Sequence, residues 1–320
     1  MKLRVTGILL AILMMLSVTL TAFAAAAEDA QTADEVSGTG NGTVESASPF
    51  YLDGEQLADL EYQLIGGTNY VTVASFLSAM SGEAMVEEEN GTVVASCVTV
   101  TEIVDMAAVE DEAAVSGGAG EIAQANVIEE TLTFSAREGD CYVVANGHYL
   151  YVESCVMTVE GKVAAPIRAL ARIFNLDVSY DRASRRVLLT RREGEGACIA
   201  GAAYDEDTLY WLSHIICAES GNQPMLGKIA VGNVVMNRVA NPLFPNTIKG
   251  VLFQKNQFSP AASGSIYRTP NEESVIAAKL VLDGACVVPT ALFFNRAGLN
   301  TYAARNRTYV ATIGAHAFYD

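Results

Sequence analysis

The sequence has few of the residues that build metal centres and nucleic-acid surfaces. Its 320 residues include only three histidines and one tryptophan, and 20 basic against 37 acidic side chains give a net charge of −17. Scattered histidines and cysteines without close pairs do not form the usual zinc pattern, so we expect no metal and no cofactor. The absence of a basic patch argues against a nucleic-acid partner.

Long apolar runs are missing after the N-terminus. Residues 1–27 combine a basic start, an apolar run and the small-x-small motif Ala22-Phe23-Ala24, which predicts a secretory signal peptide. The alternative is an uncleaved membrane anchor, because the apolar stretch is nearly long enough to span a bilayer. In either case we expect the rest of the chain outside the cytoplasm and, after signal cleavage, without membrane contact.

The charge is unevenly distributed along the chain. Residues 200–320 carry 8 acids and 9 bases, whereas the first 199 residues carry 29 acids and 11 bases. Such a split predicts two parts with different roles. Residues 28–47 are polar and acidic, which is typical of a disordered leader, and the Gly/Ala-rich residues 192–204 predict a linker.

Six cysteines in an exported chain make disulfides possible, but spacing alone does not give their pairing. They are Cys97, Cys141, Cys155, Cys198, Cys217 and Cys286. Cys217 lies in an apolar run, so core packing is favoured over nucleophilic catalysis.

Two segments of the first half resemble each other, residues 69–95 and 163–190. They match at an offset of 94, and each predicts a short helix followed by two strands. Asn146-Gly147 predicts a hairpin turn between the two copies. The matched apolar pairs are Val71/Ala165, Val73/Ile167, Phe76/Leu170, Met80/Phe174 and Val93/Val187.

This duplicated pattern resembles the copper amine oxidase N-terminal-like stalk domain of exported bacterial proteins, over residues 48–191. The resemblance implies a β-rich fold. It implies no copper here, because the segment has no cluster of ligands. A plain spacer and a weak cell-wall-binding module are both open interpretations of its role.

The last region, residues 205–320, has one acid in an unusual place. Apolar residues at helical spacing predict a helix over 208–218, and Glu219 extends its inward face. A carboxylate there is either paired with an arginine or is a desolvated acid whose raised pKa lets it donate a proton near neutral pH. The other acids of the region lie at helix starts, before a helix stop or at the terminus, and none is an evident second carboxylate.

The rest of this region predicts a helical scaffold. Residues 227–239 form a predicted core helix that carries Asn237 and Arg238 near its end. We interpret these two residues as a C-terminal cap and an ion pair, with substrate contact as the alternative. Thr269-Pro270-Asn271-Glu272 predicts a capping box at the start of a further helix. His316 is interpreted as a packed structural residue.

Loop amides and aromatic rings suit a sugar groove, where rings stack on sugars and amides bind acetamido groups. A structural role is the alternative for each candidate. The candidates are Gln257, Phe258, Ser259, Phe294 and Asn295, with Tyr302 and Tyr309 as further aromatics whose role the spacing does not decide.

Several motifs in order resemble the SleB/CwlJ-type cell wall hydrolase family, the catalytic domain of spore cortex-lytic enzymes. They are AESGNQPMLGKIAVGNVVMNRV from 218, FPNTIKGVLFQKNQFSP from 244, TPNEESVIAAKLVLDG from 269, ALFFN from 291 and IGAHAFYD from 313. The resemblance covers residues 205–320 and implies a lysozyme-like fold that cleaves peptidoglycan glycan strands, with Glu219 as the catalytic acid. Gln223 and Lys228 depart from the family pattern, where many members carry Glu and Gln.

The Glu219-Ser220 pair is also similar to the signature of lytic transglycosylases and goose-type lysozymes, which makes Ser220 a candidate substrate contact. A lytic transglycosylase needs only one acid, because the muramic acid 6-hydroxyl is the nucleophile. We therefore predict glycan cleavage that gives 1,6-anhydromuramic acid ends. The alternatives are a muramidase that uses water and a non-catalytic cell-wall-binding protein.

The predicted fold class is α+β, with a β-rich duplicated stalk domain at 48–191 and a mainly α lysozyme-like catalytic domain at 205–320. The expected partner is peptidoglycan, and the expected location is secreted and cell wall associated. The oligomeric state is open. The choice between spore cortex and vegetative wall is also open, although the stalk domain, which is not the usual partner of the spore enzymes, leans slightly toward the vegetative wall.

Overall fold

The computed structural model describes residues 48–320, apart from 82–83, 104–125, 194 and 256. The predicted signal peptide (1–27) and acidic leader (28–47) lie outside the described residues. Within the described part of the chain, none of the helices has the length and apolar character needed to cross a membrane.

The first half is rich in strands, as predicted. Two helices lie among them, α1 (Val73–Met80) and α2 (Ile167–Ile173). The strands are β1 (Phe50–Leu52), β2 (Glu55–Gln56), β3 (Tyr62–Ile65), β4 (Thr68–Thr72), β5 (Met85–Glu89), β6 (Thr92–Ile103), β7 (Asn126–Arg137), β8 (Tyr142–Ala145), β9 (His148–Tyr151), β10 (Met157–Val159), β11 (Lys162–Pro166), β12 (Leu176–Asp181) and β13 (Arg186–Arg191).

These strands contain an internal duplication, in agreement with the sequence repeat. The unit β3-β4-α1-β5-β6 recurs as β10-β11-α2-β12-β13. The copies meet in one sheet of order β10-β11-β4-β3, where β4 and β11 are antiparallel and Val71 lies opposite Ala165. Because these two residues are equivalent in the repeat, the copies are related by an approximate twofold axis through this pair.

The matched apolar positions form the core of both copies. Phe76 and Leu170 are fully buried, as is Val93, and Val187 is 5% exposed. The other two sheets of this half have the orders β12-β13-β1-β2 and β5-β6-β7-β8-β9. Each copy begins with a hairpin that the sequence did not predict, since β3 and β10 are short and mostly lack fully buried residues.

The predicted hairpin turn at Asn146-Gly147 connects β8 and β9, with φ values of 48° and 84°. Two residues with positive φ are typical of the tight turns that match strand twist. The Asn146 amide also donates to the Ile199 carbonyl (2.8 Å). Nearby, Cys141 and Cys155 form a disulfide, a pairing that the spacing had left open.

The second half contains a mainly helical region with a small sheet of order β14-β16-β15. This arrangement confirms the predicted α+β class. The elements are α3 (Glu206–Ser220), α4 (Met225–Ala240), α5 (Ile248–Leu252), α6 (Ser259–Ser263), a 3₁₀ turn (Ser265–Tyr267), α7 (Glu272–Leu282), β14 (Phe293–Arg296), α8 (Tyr302–Asn306), β15 (Tyr309–Ile313) and β16 (His316–Tyr319).

Helix α3 begins where the sequence provides a cap. The Asp205 carboxylate accepts a hydrogen bond from the Thr208 N–H (2.8 Å), and Glu206 and Asp207 occupy the first turn, where the helix dipole favours acids. The inner face buries residues such as Leu212, Ile215 and Ile216. The helix is two residues longer at each end than the predicted 208–218.

The predicted capping box of α7 is wrong. The N-cap is Asn271, whose side chain accepts a hydrogen bond from the Ser274 N–H (3.0 Å), and Glu272 is the first helical residue. Asn is at least as good an N-cap as Thr, so the helix starts after Pro270 instead of including it. The predicted stop at Gly284 agrees with the structure, since α7 ends at Leu282 and Gly284 has a φ of 92°.

The two halves have separate hydrophobic cores, and Tyr142, Tyr149 and Tyr151 of the first half pack against the second core. The contact includes the end of α7. The buried Asp283 carboxylate accepts hydrogen bonds from the Tyr149 N–H (2.7 Å) and the Tyr204 hydroxyl, and it contacts His148 Nδ1 (2.7 Å). Part of the predicted linker packs on the first half, because Cys198 is buried in the first core.

Candidate functional site

The helical region contains an open cavity of about 670 Å³. Its wall combines the last turn of α3, the end of α4, helix α6 with the loop before it, strand β14, the start of α8 and the first residue of β16. The lining residues are Glu219, Arg238, Gln257, Phe258, Ser259, Ala262, Phe293, Phe294, Asn295, Arg296, Thr301, Tyr302, Ala303 and His316.

Glu219 is the only carboxylate among the lining residues that the structure describes. Its side chain is partly buried, and no hydrogen bond or ion pair to it is found within the described residues. Burial raises the pKa of Glu219, because the charged form loses water without gaining a partner. The carboxyl group is therefore kept in the protonated form to a higher pH than an exposed glutamate, as a proton donor requires.

Of the two interpretations of Glu219, the arginine-paired carboxylate does not agree with this geometry. Arg238 lines the same cavity, but neither residue takes part in an ion pair in the described part of the chain. The interpretation as a desolvated acid agrees with the geometry, and its catalytic role stays a prediction.

Five predicted substrate contacts lie together on the cavity wall, namely Gln257, Phe258, Ser259, Phe294 and Asn295. Phe258 is only 4% exposed and lies near Phe294, with ring centroids 6.4 Å apart. This aromatic pair is a buried wall more than an open platform. Asn295 accepts a hydrogen bond from the Thr301 hydroxyl (2.5 Å) and so holds the loop that follows β14.

Ser220 differs from the other predicted contacts. Its side chain is completely buried, and its hydroxyl donates to the Ile216 carbonyl one turn earlier (2.7 Å). It does not line the cavity. A small hydroxyl that bonds back to its own helix packs in the core, so the predicted substrate contact through Ser220 disagrees with this geometry.

Arg238 lines the cavity, although the sequence interpretation favoured a structural ion pair over a substrate contact for this residue. The predicted ion pair is wrong for the described residues: Arg238 is buried, with 4% of the residue exposed, and its Nε donates to the Leu292 carbonyl (2.7 Å). Burial lowers the pKa of Arg238 to about 10. Its neighbour Asn237 does have the structural role expected, since its amide donates to the Val288 and Ala291 carbonyls.

His316 and Tyr302 also line the cavity. The His316 ring packs edge-on against Phe294 at 5.3 Å, as a structural residue would, but it also faces the site. Burial lowers the pKa of His316, which favours its neutral form. Tyr302 is 65% exposed at the rim. Tyr309 does not line the cavity and packs against Tyr319. The sequence spacing did not show which of Tyr302 and Tyr309 would line the cavity.

The turn after Glu219 is held by the two residues that depart from the family pattern. Lys228 is fully buried, and its ammonium donates to the Gln223 carbonyl (2.5 Å) and to Glu273 (2.6 Å). The Gln223 side-chain oxygen accepts a hydrogen bond from the Ala315 N–H (2.8 Å), next to His316. An amide oxygen thus links the end of α3 to the β15–β16 turn.

The described part of the chain contains no group of three or more His, Cys, Asp or Glu side chains that could hold a metal ion. The site combines a single carboxylic acid, Glu219, with arginines, amides and aromatic walls in an open cavity. It can donate a proton to a bound molecule and accept one back.

Comparison with known proteins agrees with the motifs. Residues 222–319 match the family model described as Cell Wall Hydrolase, a match that begins three residues after Glu219. A spore cortex-lytic enzyme of Bacillus cereus is 34% identical over 116 residues, which is 36% of this chain and 45% of that protein. The spore cortex-lytic enzyme of Bacillus subtilis strain 168 is 29% identical over 129 residues, 40% of this chain and 42% of that protein.

Among solved structures, the catalytic domain of the germination-specific lytic transglycosylase SleB from Bacillus anthracis is similar to this chain. It is 30% identical, with 38% of this chain and 100% of that domain covered, at a TM-score of 0.35. This chain spans less than half the length of the similar spore cortex-lytic enzymes.

Proposed function

We propose that this protein, whose last third is a cell wall hydrolase domain of the kind found in spore cortex-lytic enzymes, cleaves the glycan strands of peptidoglycan. The observation that carries the proposal is Glu219, a lone carboxylic acid with a raised pKa on the wall of an open cavity. Residues 48–191, with their two equivalent units, would then be a stalk domain of the copper amine oxidase N-terminal-like type. Action at the wall requires export, in line with the signal peptide predicted at residues 1–27.

The proposed reaction needs one acid. Protonated Glu219 donates its proton to the leaving glycosidic oxygen as the bond from that oxygen to the muramic acid C1 breaks. The resulting carboxylate then takes the proton of the 6-hydroxyl on the same sugar while O6 bonds to C1. The product ends in 1,6-anhydromuramic acid, and Glu219 is protonated again. The tethered hydroxyl replaces water, and such tethering gives effective molarities of about 10⁵ M or more.

The cavity supports this reaction over its rivals. Two-carboxylate glycosidases place a second acid roughly 5–9.5 Å from the first, and Glu219 is the only acid that lines the cavity within the described residues. A muramidase would therefore have to position its water with an amide such as Gln257 or Asn295. A non-catalytic wall-binding protein would have no use for an unpaired, partly buried acid, because removing its ionised form from water costs free energy.

Substitution of the acid tests the proposal. We expect Glu219→Gln to reduce release of soluble glycan from purified peptidoglycan by about 10²-fold or more, because the residue serves as both acid and base. Glu206→Gln is the matched control, since it makes the same change at the exposed start of the same helix. Residual activity of Glu219→Gln within about tenfold of the wild type would contradict the assignment. A wild-type protein that binds the wall and releases nothing would favour the non-catalytic alternative.

A further inference from the structure

Arg238 is a buried cation without an anion. Only 4% of the residue is exposed, and no ion pair to it is found among the described residues. One nitrogen, Nε, donates to the Leu292 carbonyl, while Nη1 is buried with no hydrogen-bond partner. Arg238 lines the cavity that contains Glu219, so a molecule bound in the cavity would lie beside this residue.

The surroundings of Arg238 do not replace an anion. The guanidinium carbon lies 5.1 Å from the Phe244 and Phe258 ring centroids and 5.4 Å from that of Phe293. Aromatic faces attract a cation weakly, but they cannot accept the in-plane hydrogen bonds of a guanidinium. A buried charge is unfavourable unless a partner neutralises it and satisfies its donors.

The cavity as a whole is short of negative charge. Arg296 lines it as well, and the Arg307 guanidinium lies 4.6 Å from the ring centroid of Phe293, a lining residue. The one lining carboxyl among the described residues, Glu219, is neutral when it acts as an acid. A bound substrate would therefore meet the two lining arginines, Arg238 and Arg296, and no compensating carboxylate among the described residues.

We infer that Arg238 binds a carboxylate group of the glycan substrate, an inference that rests on the proposed function of the same cavity. A carboxylate is the partner that both neutralises a guanidinium and accepts a hydrogen bond from its remaining N–H groups. Arg238 is then a specificity-determining residue that selects muramic acid strands over neutral glycans. Peptidoglycan offers two sources of this group: the lactyl carboxylate of a peptide-free muramic acid and the carboxylates of the stem peptide.

The inference can be tested by binding, separately from cleavage. Glu219→Gln and Glu219→Gln/Arg238→Gln, both as the full mature chain, are titrated calorimetrically with peptide-free glycan fragments. The same fragments are then used with their carboxylates converted to methylamides. We expect this blocking to weaken binding to Glu219→Gln by about 10- to 100-fold, the usual effect of one hydrogen bond to a charged group, and to change binding to the double variant by less than about threefold.

Peptide-bearing fragments, with and without blocking, identify the source. Loss of affinity on blocking only the peptide-free fragments assigns the lactyl carboxylate, and loss only with peptide-bearing fragments assigns the stem peptide; both support the inference. Arg238→Lys keeps the charge but lacks the guanidinium fork, so its glycan affinity should still depend in part on a free carboxylate. This variant replaces Arg238→Gln if the latter does not fold. Arg296→Gln is the control for an exposed cavity arginine, and thermal melting checks folding.

Two outcomes would overturn the inference. Equal effects of blocking on Glu219→Gln and on the double variant would show that Arg238 does not recognise the carboxylate, while glycan binding and wild-type cleavage would leave the proposed function intact. Absence of glycan binding together with absence of cleavage would overturn both.

Discussion

Asp283 makes several of the hydrogen bonds that join the two halves of the molecule, and its removal tests how much they contribute to stability. The carboxylate is 7% exposed and accepts hydrogen bonds from the Tyr149 N–H and the Tyr204 hydroxyl while it contacts His148. Lys279 lies over the Tyr149 ring at 4.8 Å. One side chain therefore connects α7 of the helical region with β9 and with the segment before α3.

Asp283→Ala should be strongly destabilising. Loss of this acceptor leaves the Tyr149 N–H and the Tyr204 hydroxyl without a partner, and each buried donor left unsatisfied costs about 1–3 kcal/mol. Asp177→Ala is the control: this aspartate also pairs with a basic residue, Arg192 at 2.9 Å, but it is 70% exposed. Exposed pairs contribute little in water, so its unfolding midpoint should stay close to that of the wild type.

Urea unfolding followed by tryptophan fluorescence measures the effect. Trp211 is the single tryptophan of the chain and lies in α3, so its signal reports on the helical region. If the fluorescence transition of Asp283→Ala coincides with that of Asp177→Ala, the buried contact does not hold the two halves together, and the reasoning about this interface is refuted.

Two further predictions concern the neighbourhood of Glu219. Glu219→Gln should melt at a higher temperature than the wild type at pH 8 and at the same temperature near pH 3.5. The pKa of Glu219 in the native state lies above its unfolded value of about 4.3. The native state therefore binds more protons than the unfolded state between these two pKa values, and the wild type loses stability as the pH rises. Circular dichroism melts from pH 3.5 to 8 check this, and a difference that stays constant or has the opposite sign would contradict it. Lys228→Leu should lower the free energy of unfolding by about 1–3 kcal/mol, because the Gln223 carbonyl loses its donor, and Lys228→Gln should lose less; equal urea midpoints for the two variants would argue against this role of the ammonium.

Local patterns in the sequence predicted much of the helical region. The stripe through Leu212, Ile215 and Ile216 placed α3 and showed that Glu219 faces inward. The offset of 94 between the repeats aligned Val71 with Ala165, which the structure places opposite each other in one sheet. Such features depend on residues close in sequence or on an internal match, so they can be read without a structure.

The features that the sequence did not predict depend on long-range contacts or on small local choices. Arg238 lies between rings from three separate segments, at Phe244, Phe258 and Phe293, and no spacing pattern brings these together. Ser220 was interpreted from its neighbour, yet its orientation on the helix turns it into the core. Thr269 and Asn271 are both suitable N-cap residues for α7, and their capping propensities alone do not show which of them starts the helix.

The candidate site also contains residues that the local sequence predicts and residues whose roles depend on long-range contacts. Glu219 was identified because an acid on an apolar helical face is unusual. The roles of Gln223 and Lys228 depend on contacts with Ala315 and Glu273, which are distant in sequence. The position of His316 on the cavity wall depends on the fold, and its sequence neighbourhood is the same as that of a core histidine.

The nature of the products tests the central claim, that Glu219 acts alone and the substrate supplies the nucleophile. Peptidoglycan digested by the wild-type protein is analysed by mass spectrometry before and after borohydride reduction. The account predicts 1,6-anhydromuramic acid ends that borohydride does not reduce, lighter by one water than hydrolysis products, since no water enters the reaction. Products that consist only of the heavier, reducible muramic acid ends would contradict it and would show that the cavity positions a water molecule.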